Sequence, residues 1–100
     1  MATAVGAIDD VIHARARLGI VTVLTSLGSA DFRTLKSQLG LTDGNLGAHL
    51  RVLEDAGYVE VAKAFEGRKP RTTCRMTPVG RRAFAKYLEG LESVIRLARA

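Results

Sequence analysis

Apolar residues recur along this chain in two rhythms. From residue 7 to 28, and again after residues 34, 42 and 78, they fall three and four apart, as on one side of a helix; between residues 58 and 77 they alternate, as on one face of a strand. Ile8, Val11 and Ile12 open the first stretch, where Asp9 and Asp10 suit a helix N-terminus. Ile20, Val23, Leu24 and Leu27 continue it as a core-facing stripe, Gly28 supplies a stop, and Gly19 is a point at which the stretch can divide in two. Thr34 is the expected cap of a brief second helix, with Leu35 and Leu39 inside and Gly40 at its end. Thr42 opens a third, in which Leu46, Leu50 and Leu53 recur at spacings of four and three, Ala56 extends the side and Gly57 ends it. Joined by Gly40 and Leu41, these two short helices predict a helix-turn-helix over about residues 34–56.

Residues 58–65 and 71–77 are rich in β-branched and aromatic side chains, and Gly67 and Pro70 punctuate the gap, which predicts a hairpin. Val59 and Val61 share a face with Lys63, and Cys74 and Met76 share one with Thr72, so the apolar half of each strand is the half nearer the helices. Such a hairpin, with Gly67, Arg68, Lys69 and Pro70 at its tip, projects beyond the core as a wing over about residues 58–77. Thr77 can cap and Pro78 can start a last helix that runs to about Ala98. Its stripe of Phe84, Leu88, Leu91, Ile95 and Ala98, widened by Tyr87 and Val94, stays apolar over about five turns. The expected fold class is mainly α with a small β-hairpin: a winged helix-turn-helix with terminal helices, in a single domain spanning residues 1–100. A domain this small has no core long enough to cover the last helix. Ile8, Val11, Ile12, Tyr87, Leu88, Leu91, Val94, Ile95 and Ala98 are therefore expected to meet a second copy in a homodimer.

Charge sharpens this picture. The chain is formally +5, and the excess is concentrated: Lys63, Arg68, Lys69, Arg71, Arg75, Arg81 and Arg82 face Glu66 alone between residues 63 and 82, whereas the other eighty residues carry eight basic and nine acidic groups. A basic segment in an otherwise balanced chain points to a polyanion, because neutralising phosphates releases counterions, with a merely solvated surface as the alternative. One hundred residues leave no room for a separate catalytic domain. No Ser/His/Asp arrangement, phosphate-cradling glycine loop or carboxylate pair in apolar surroundings is legible either, so no enzyme is expected. Cys74, His13 and His49 do not make a tetrahedral site, and no metal or other cofactor is expected. Cys74 reads as a small core residue, with a redox role as the alternative. No apolar run spans a membrane and no secretory leader is evident, so a cytoplasmic protein is expected.

With Leu46, Leu50 and Leu53 inward, a rotation of about 100° per residue places Gly44, Ala48, Arg51 and Asp55 on the opposite side of the third helix, flanked by Asn45 and Val52, with His49 on the shoulder. Gly44, Gly47 and Ala48 would let the backbone approach base edges, and Asn45 and Arg51 suit adenine, guanine or phosphate. Two open readings exist for the glycines, close approach to a groove or tight packing on the preceding helix. His49 likewise is either a DNA contact or a half-buried histidine bonded to a neighbour. Thr42 belongs to the same helix start, and Asp43 fits stabilisation of that start better than recognition of cytosine. On the wing, Lys63, Arg68, Lys69, Arg71 and Arg75 are long cations suited to phosphate or minor-groove contacts.

The segment TDGNLGAHLRVLEDAGYV, residues 42–59, followed by EVAKAFEGRKPRTTCRMTPVG, residues 60–80, resembles the winged-helix transcription regulators related to the MarR and ArsR families, most closely the short stand-alone members. That resemblance implies a homodimer joined through terminal helices, residues 42–56 as recognition helix and residues 58–77 as wing. It carries the recognition role onto Asp43, Gly44, Asn45, Ala48, His49 and Arg51, and the wing role onto Arg68, Lys69 and Arg71. Gly47 and Ala48 stand where serines are common, which removes two hydroxyls that would contact phosphate. The implied function is sequence-specific binding of double-stranded DNA as a homodimeric regulator, of the repressing kind, with a small-molecule effector as a further partner. A winged-helix protein-interaction module without DNA binding is the alternative.

Overall fold

Caps set most of the element boundaries. In the computed structural model, which describes residues 5–100, α1 spans Arg15–Leu27, β1 Ser29–Asp31, α2 Phe32–Leu39, α3 Asp43–Asp55, β2 Val59–Glu66, β3 Lys69–Met76 and α4 Pro78–Arg99. Thr42 Oγ1 accepts from the Asn45 amide at 3.2 Å and Thr77 Oγ1 from the Gly80 amide at 2.9 Å, so α3 and α4 begin where the sequence places them. α2 begins earlier than expected. Asp31, rather than Thr34, is its cap, with Oδ1 accepting from the Thr34 amide at 2.7 Å.

The first helix also differs from expectation. Residues 8–14 are not helical; Asp9 Oδ1 caps a turn by accepting from the amides of Val11 and Ile12, while its other oxygen takes the Tyr58 hydroxyl at 2.5 Å. Gly19 does not divide α1. A Cβ there would stand 2.9 Å from Leu39 Cδ2, so the glycine makes room for α2 against an unbroken helix.

The sheet is antiparallel in the order β1-β3-β2. β1 is absent from the sequence-based expectation; its three residues are held by pairing Ser29, Ala30 and Asp31 with Arg75, Cys74 and Thr73. The hairpin turn is only Gly67 and Arg68, tighter than the expected gap, with Glu66 opposite Lys69. Gly67 alone takes a positive φ there, +67°, which is the type II′ geometry that suits the twist of a two-residue hairpin. Pro70 therefore lies within β3, beyond the reach of β1, where one edge of the strand is open.

Ile20, Val21 and Leu24 of α1 meet Leu35 of α2, Leu46, Leu50 and Leu53 of α3, Val59, Cys74 and Met76 of the hairpin base, and Phe84 and Tyr87 of α4 in one core. Leu27, expected inside, is 55% exposed and Val21 is buried in its place, because α1 is packed by α2, α3 and the sheet on the Val21 side and its last turn leads out of the core. Ile12 and Tyr87 are corrections to the expected dimer surface. Both are fully buried within the chain, and the Tyr87 hydroxyl is hydrogen-bonded to His13 Nδ1 at 2.9 Å. The N-terminal segment supplies this cover: Ala7 lies on α4 where Gly90 leaves space, a Cβ at Gly90 standing 3.0 Å from that of Ala7.

The hairpin is closed at its neck. The Thr77 amide donates to the Tyr58 carbonyl at 3.0 Å, the Thr77 hydroxyl donates to the Gly57 carbonyl at 2.5 Å, and a Cβ at Gly80 would overlap the Tyr58 carbonyl. Gly80→Ala should therefore cost about 1–3 kcal/mol or more, since backbone rather than a flexible side chain must yield. Thermal unfolding checks this; a midpoint within a degree of the parent would remove the close approach as a constraint.

Alkali should loosen the same region. Donation to Asp9, then burial, pushes the Tyr58 hydroxyl from 10.0 to about 12, and burial, then the charges of Glu54 and Asp31, pushes the Cys74 thiol from 9.0 to about 11. Both values are raised by folding, so the stability linked to them is intact below about pH 9 and is lost as pH rises toward 12. Melting temperatures should fall across that window. Cys74→Ala should flatten the lower part of the decline and Tyr58→Phe the upper part.

Candidate nucleic-acid interface

The core fixes which side of α3 is free. With Leu46, Leu50 and Leu53 buried, the opposite side presents Gly44, Asn45, Gly47, Ala48, Arg51 and Val52 to solvent. Beyond the adjoining residues and the helix's own backbone, no described atom lies within 4 Å of a Cβ built on Gly44 or Gly47. Tight packing on the preceding helix is thus not what these glycines serve. Thr42 is exposed, its hydroxyl engaged in the cap. Asp43 is 74% exposed and paired with Lys36 of α2 at 2.9 Å, an ion pair across the turn that offsets the repulsion a carboxylate would offer to phosphate. At that exposure the pair adds little to stability.

His49 belongs to the half-buried alternative. Arg17 of α1 donates from Nε to the Val11 carbonyl at 2.6 Å and from Nη1 to His49 Nδ1 at 3.2 Å. A guanidinium can only donate, so Nδ1 accepts and the ring proton sits on Nε2. His49 thereby locks the middle of α3 to α1 and to the segment before it.

The wing has two unlike faces. Val59 and Val61 pair with Met76 and Cys74 over the core; farther out on the same face Lys63 lies opposite Thr72, and Phe65 opposite Pro70. Phe65 is 76% exposed, an aromatic on a projecting strand that no helix covers. The expected site did not include it, although alternation from Val59 through Val61 and Lys63 leads to it. On the other face, Arg75 is bonded to Glu60, and Arg71 to both Glu66 and Asp31. Lys63, Arg68 and Lys69 are exposed and, among the described residues, have no carboxylate within ion-pair distance. Of the five expected wing cations, then, three are free and two are engaged.

The predicted dimer residues spread likewise. Leu88 and Ile95 are 41% and 43% exposed and Ala98 is exposed, Ile8, Val11, Leu91 and Val94 are partly covered, and Ile12 and Tyr87 are inside. Leu97, outside the expected set, is 70% exposed. Cys74 is buried with its thiol raised to about 11, so it holds its proton at neutral pH. Among the described residues no group of three or more His, Cys, Asp or Glu side chains is placed to hold a metal, and no helix is long and apolar enough to cross a membrane.

Comparison with known proteins agrees with this geometry. The family model of the winged helix DNA-binding domain matches residues 16–95. An uncharacterized protein of Methanocaldococcus jannaschii is 40% identical over 72 residues, covering 72% of this chain and 78% of that one. The solved structure of a transcriptional regulator homologue from Pyrococcus horikoshii superposes with a TM-score of 0.84 at 34% identity, covering 90% of this chain and 89% of that one. A regulator of the MarR family from Enterococcus faecalis shares the fold, with a TM-score of 0.69 at 24% identity over 89% of this chain and 76% of that one.

The open flank of α3 makes a prediction about stability alone. Gly47→Ala should stabilise the fold by about 0.5–1 kcal/mol, and Gly44→Ala, in the first turn, by less, because each gains helix propensity without a clash. Denaturant titration measures this. A loss of stability would mean that the glycines serve the fold after all.

Proposed function

Because the chain belongs to the winged helix DNA-binding domain family, we propose that it is a sequence-specific, homodimeric transcription regulator of the cytoplasm that represses by occupying its operator. One observation carries this reading: a side of α3 that the protein leaves bare, at the cost of two glycines, beside a wing whose outer half holds three unneutralised cations. Gly44, Gly47 and Ala48 let the α3 backbone sink toward base edges, while Asn45 and Arg51 are the side chains able to read them. Lys63, Arg68 and Lys69 hold the flanking phosphates, and Phe65 adds an apolar contact to sugars or an unstacked base step in the minor groove. Two copies joined along the α4 stripe of Leu88, Leu91, Ile95 and Ala98 present two α3 helices to successive major grooves, about 34 Å apart. A small-molecule effector that altered the packing of the terminal helices would shift this spacing. The 34% identical Pyrococcus protein, a transcriptional regulator homologue, supports the regulatory role.

Selection from a random duplex pool, followed by gel shifts at several salt concentrations, tests the proposal. The selected duplex should bind far more tightly than bulk DNA, with affinity falling steeply as salt rises. Replacing Arg68 and Lys69 by alanine should lower the salt slope by about two. Asn45→Ala should cost preference more than affinity, and Phe65→Ala should cost affinity at unchanged slope. Equal binding of selected and bulk DNA would leave a protein-interaction module as the better account. For the dimer, Leu88→Glu with Ile95→Glu should sediment as a folded monomer; a variant that stays dimeric would place the interface elsewhere.

A further inference from the structure

Arg71 occupies a place that its cationic character alone does not explain. It lies opposite Ala64, on the face of β3 away from the core, and its two carboxylate partners are its diagonal neighbours on the flanking strands. Glu66 is two residues on from Ala64 in β2, and Asp31 lies in β1 opposite Thr73, two residues on from Arg71 in β3. Nη1 donates to Glu66 Oε2 at 2.6 Å and Nη2 to Asp31 Oδ2 at 3.1 Å, so one side chain ties three strands. Asp31 is also the cap of α2, its other oxygen taking the Thr34 amide at 2.7 Å. The carboxyl is held below its ordinary value, first by the Thr34 bonds and then by Arg71, and stays charged wherever the protein works.

Little else holds the outer wing. Residues 62–71 are all exposed, and a cleft of about 480 Å³, lined by Asp31, Phe32 and Arg33 on one side and Glu66, Pro70 and Arg71 on the other, separates it from the start of α2. The Arg71 bridge crosses that cleft.

The geometry points to Arg71 as a positioning residue: the Asp31–Arg71–Glu66 bridge is a brace that fixes the wing against the helix-turn-helix, and its guanidinium stays on the two carboxylates when DNA is bound. Its effect on affinity rests on the DNA-binding function proposed above; its effect on the wing does not. The brace holds Arg68 and Lys69 at a set distance from α3, so that helix and wing engage one duplex together without first ordering the hairpin.

The test turns on sign. Asp31→Asn keeps a capping side chain and removes a negative charge, as Glu66→Gln does, and near a polyanion either change alone would tighten binding. The brace demands the reverse: each variant should bind the selected duplex about two- to fivefold more weakly at fixed salt, and adding Arg71→Gln to either should cost nothing beyond Arg71→Gln itself. Tighter binding by Asp31→Asn and Glu66→Gln, together with a salt slope lowered by about one in Arg71→Gln, would instead make Arg71 a phosphate ligand released from its acids and overturn the brace. A second measurement needs no DNA. Backbone ¹⁵N order parameters of residues 64–69 and Arg71 should fall in Asp31→Asn at an unchanged melting temperature, and unchanged order parameters would overturn the brace. Were no duplex preferred over bulk DNA, the binding proposal would fail and the order parameters would still decide.

Discussion

The neck of the hairpin sets the relation among all the parts of this protein. Gly57 and Tyr58 follow α3 directly, Thr77 and Gly80 begin α4, and the two pairs are joined by the Thr77 amide on the Tyr58 carbonyl, the Thr77 hydroxyl on the Gly57 carbonyl and a close approach that only glycine permits. The Thr77 hydroxyl is shared, donating to Gly57 while it caps α4 through the Gly80 amide. A side-chain cap and an inter-element clasp are thus one group. The orientation of α3, the exit direction of the wing and the start of α4 follow from these few residues. Asp9 extends the arrangement by holding the Tyr58 hydroxyl, which brings the N-terminal segment over the base of α4.

What was legible in the sequence is what depends on local periodicity. The helix-turn-helix, the hairpin with an apolar base and the long last helix follow from spacing and capping, and the exposed side of α3 is the inverse of its leucine stripe. The misreadings share a different cause. β1 is three residues with no pattern of its own and exists because β3 pairs with it. Asp31 displaces Thr34 as the cap because that strand delivers it, extended, to the head of α2. Ile12 and Tyr87 read as parts of apolar stripes that await a second copy, yet the return of the N-terminal segment onto α4 buries both within the chain, and no helical period encodes that return.

Charge shows the same division. Along the sequence, residues 63–82 hold seven basic groups against one acid, a count that treats every cation as equal. In the fold, Glu60 and Asp31 come from outside that segment to join Glu66, and Arg71 and Arg75 are matched. Register across strands decides this pairing, directly opposite for Arg75 and Glu60 and diagonal for Arg71, so linear charge density overstates the free charge and blurs its location. Of the wing's own cations, Lys63, Arg68 and Lys69 remain without an ion pair among the described residues, and they lie on its projecting half.

That placement bears on how affinity and selectivity divide. The Debye length is about 8 Å at physiological salt, so cations on a projecting hairpin act at full strength only on a phosphate they touch. The bare side of α3 offers the complementary property: one guanidinium, one amide and a run of small residues bring little charge but admit a close fit, where a wrong base leaves polar groups unpaired. Under the proposed function, affinity then resides chiefly on the wing and discrimination on the helix. Two such surfaces cooperate only if their separation is fixed before binding; otherwise the order gained on one is spent on placing the other. The neck ties the wing at its root, and, among the described residues, the Arg71 bridge is the charged contact across the cleft that the proposed brace assigns to fixing it farther out.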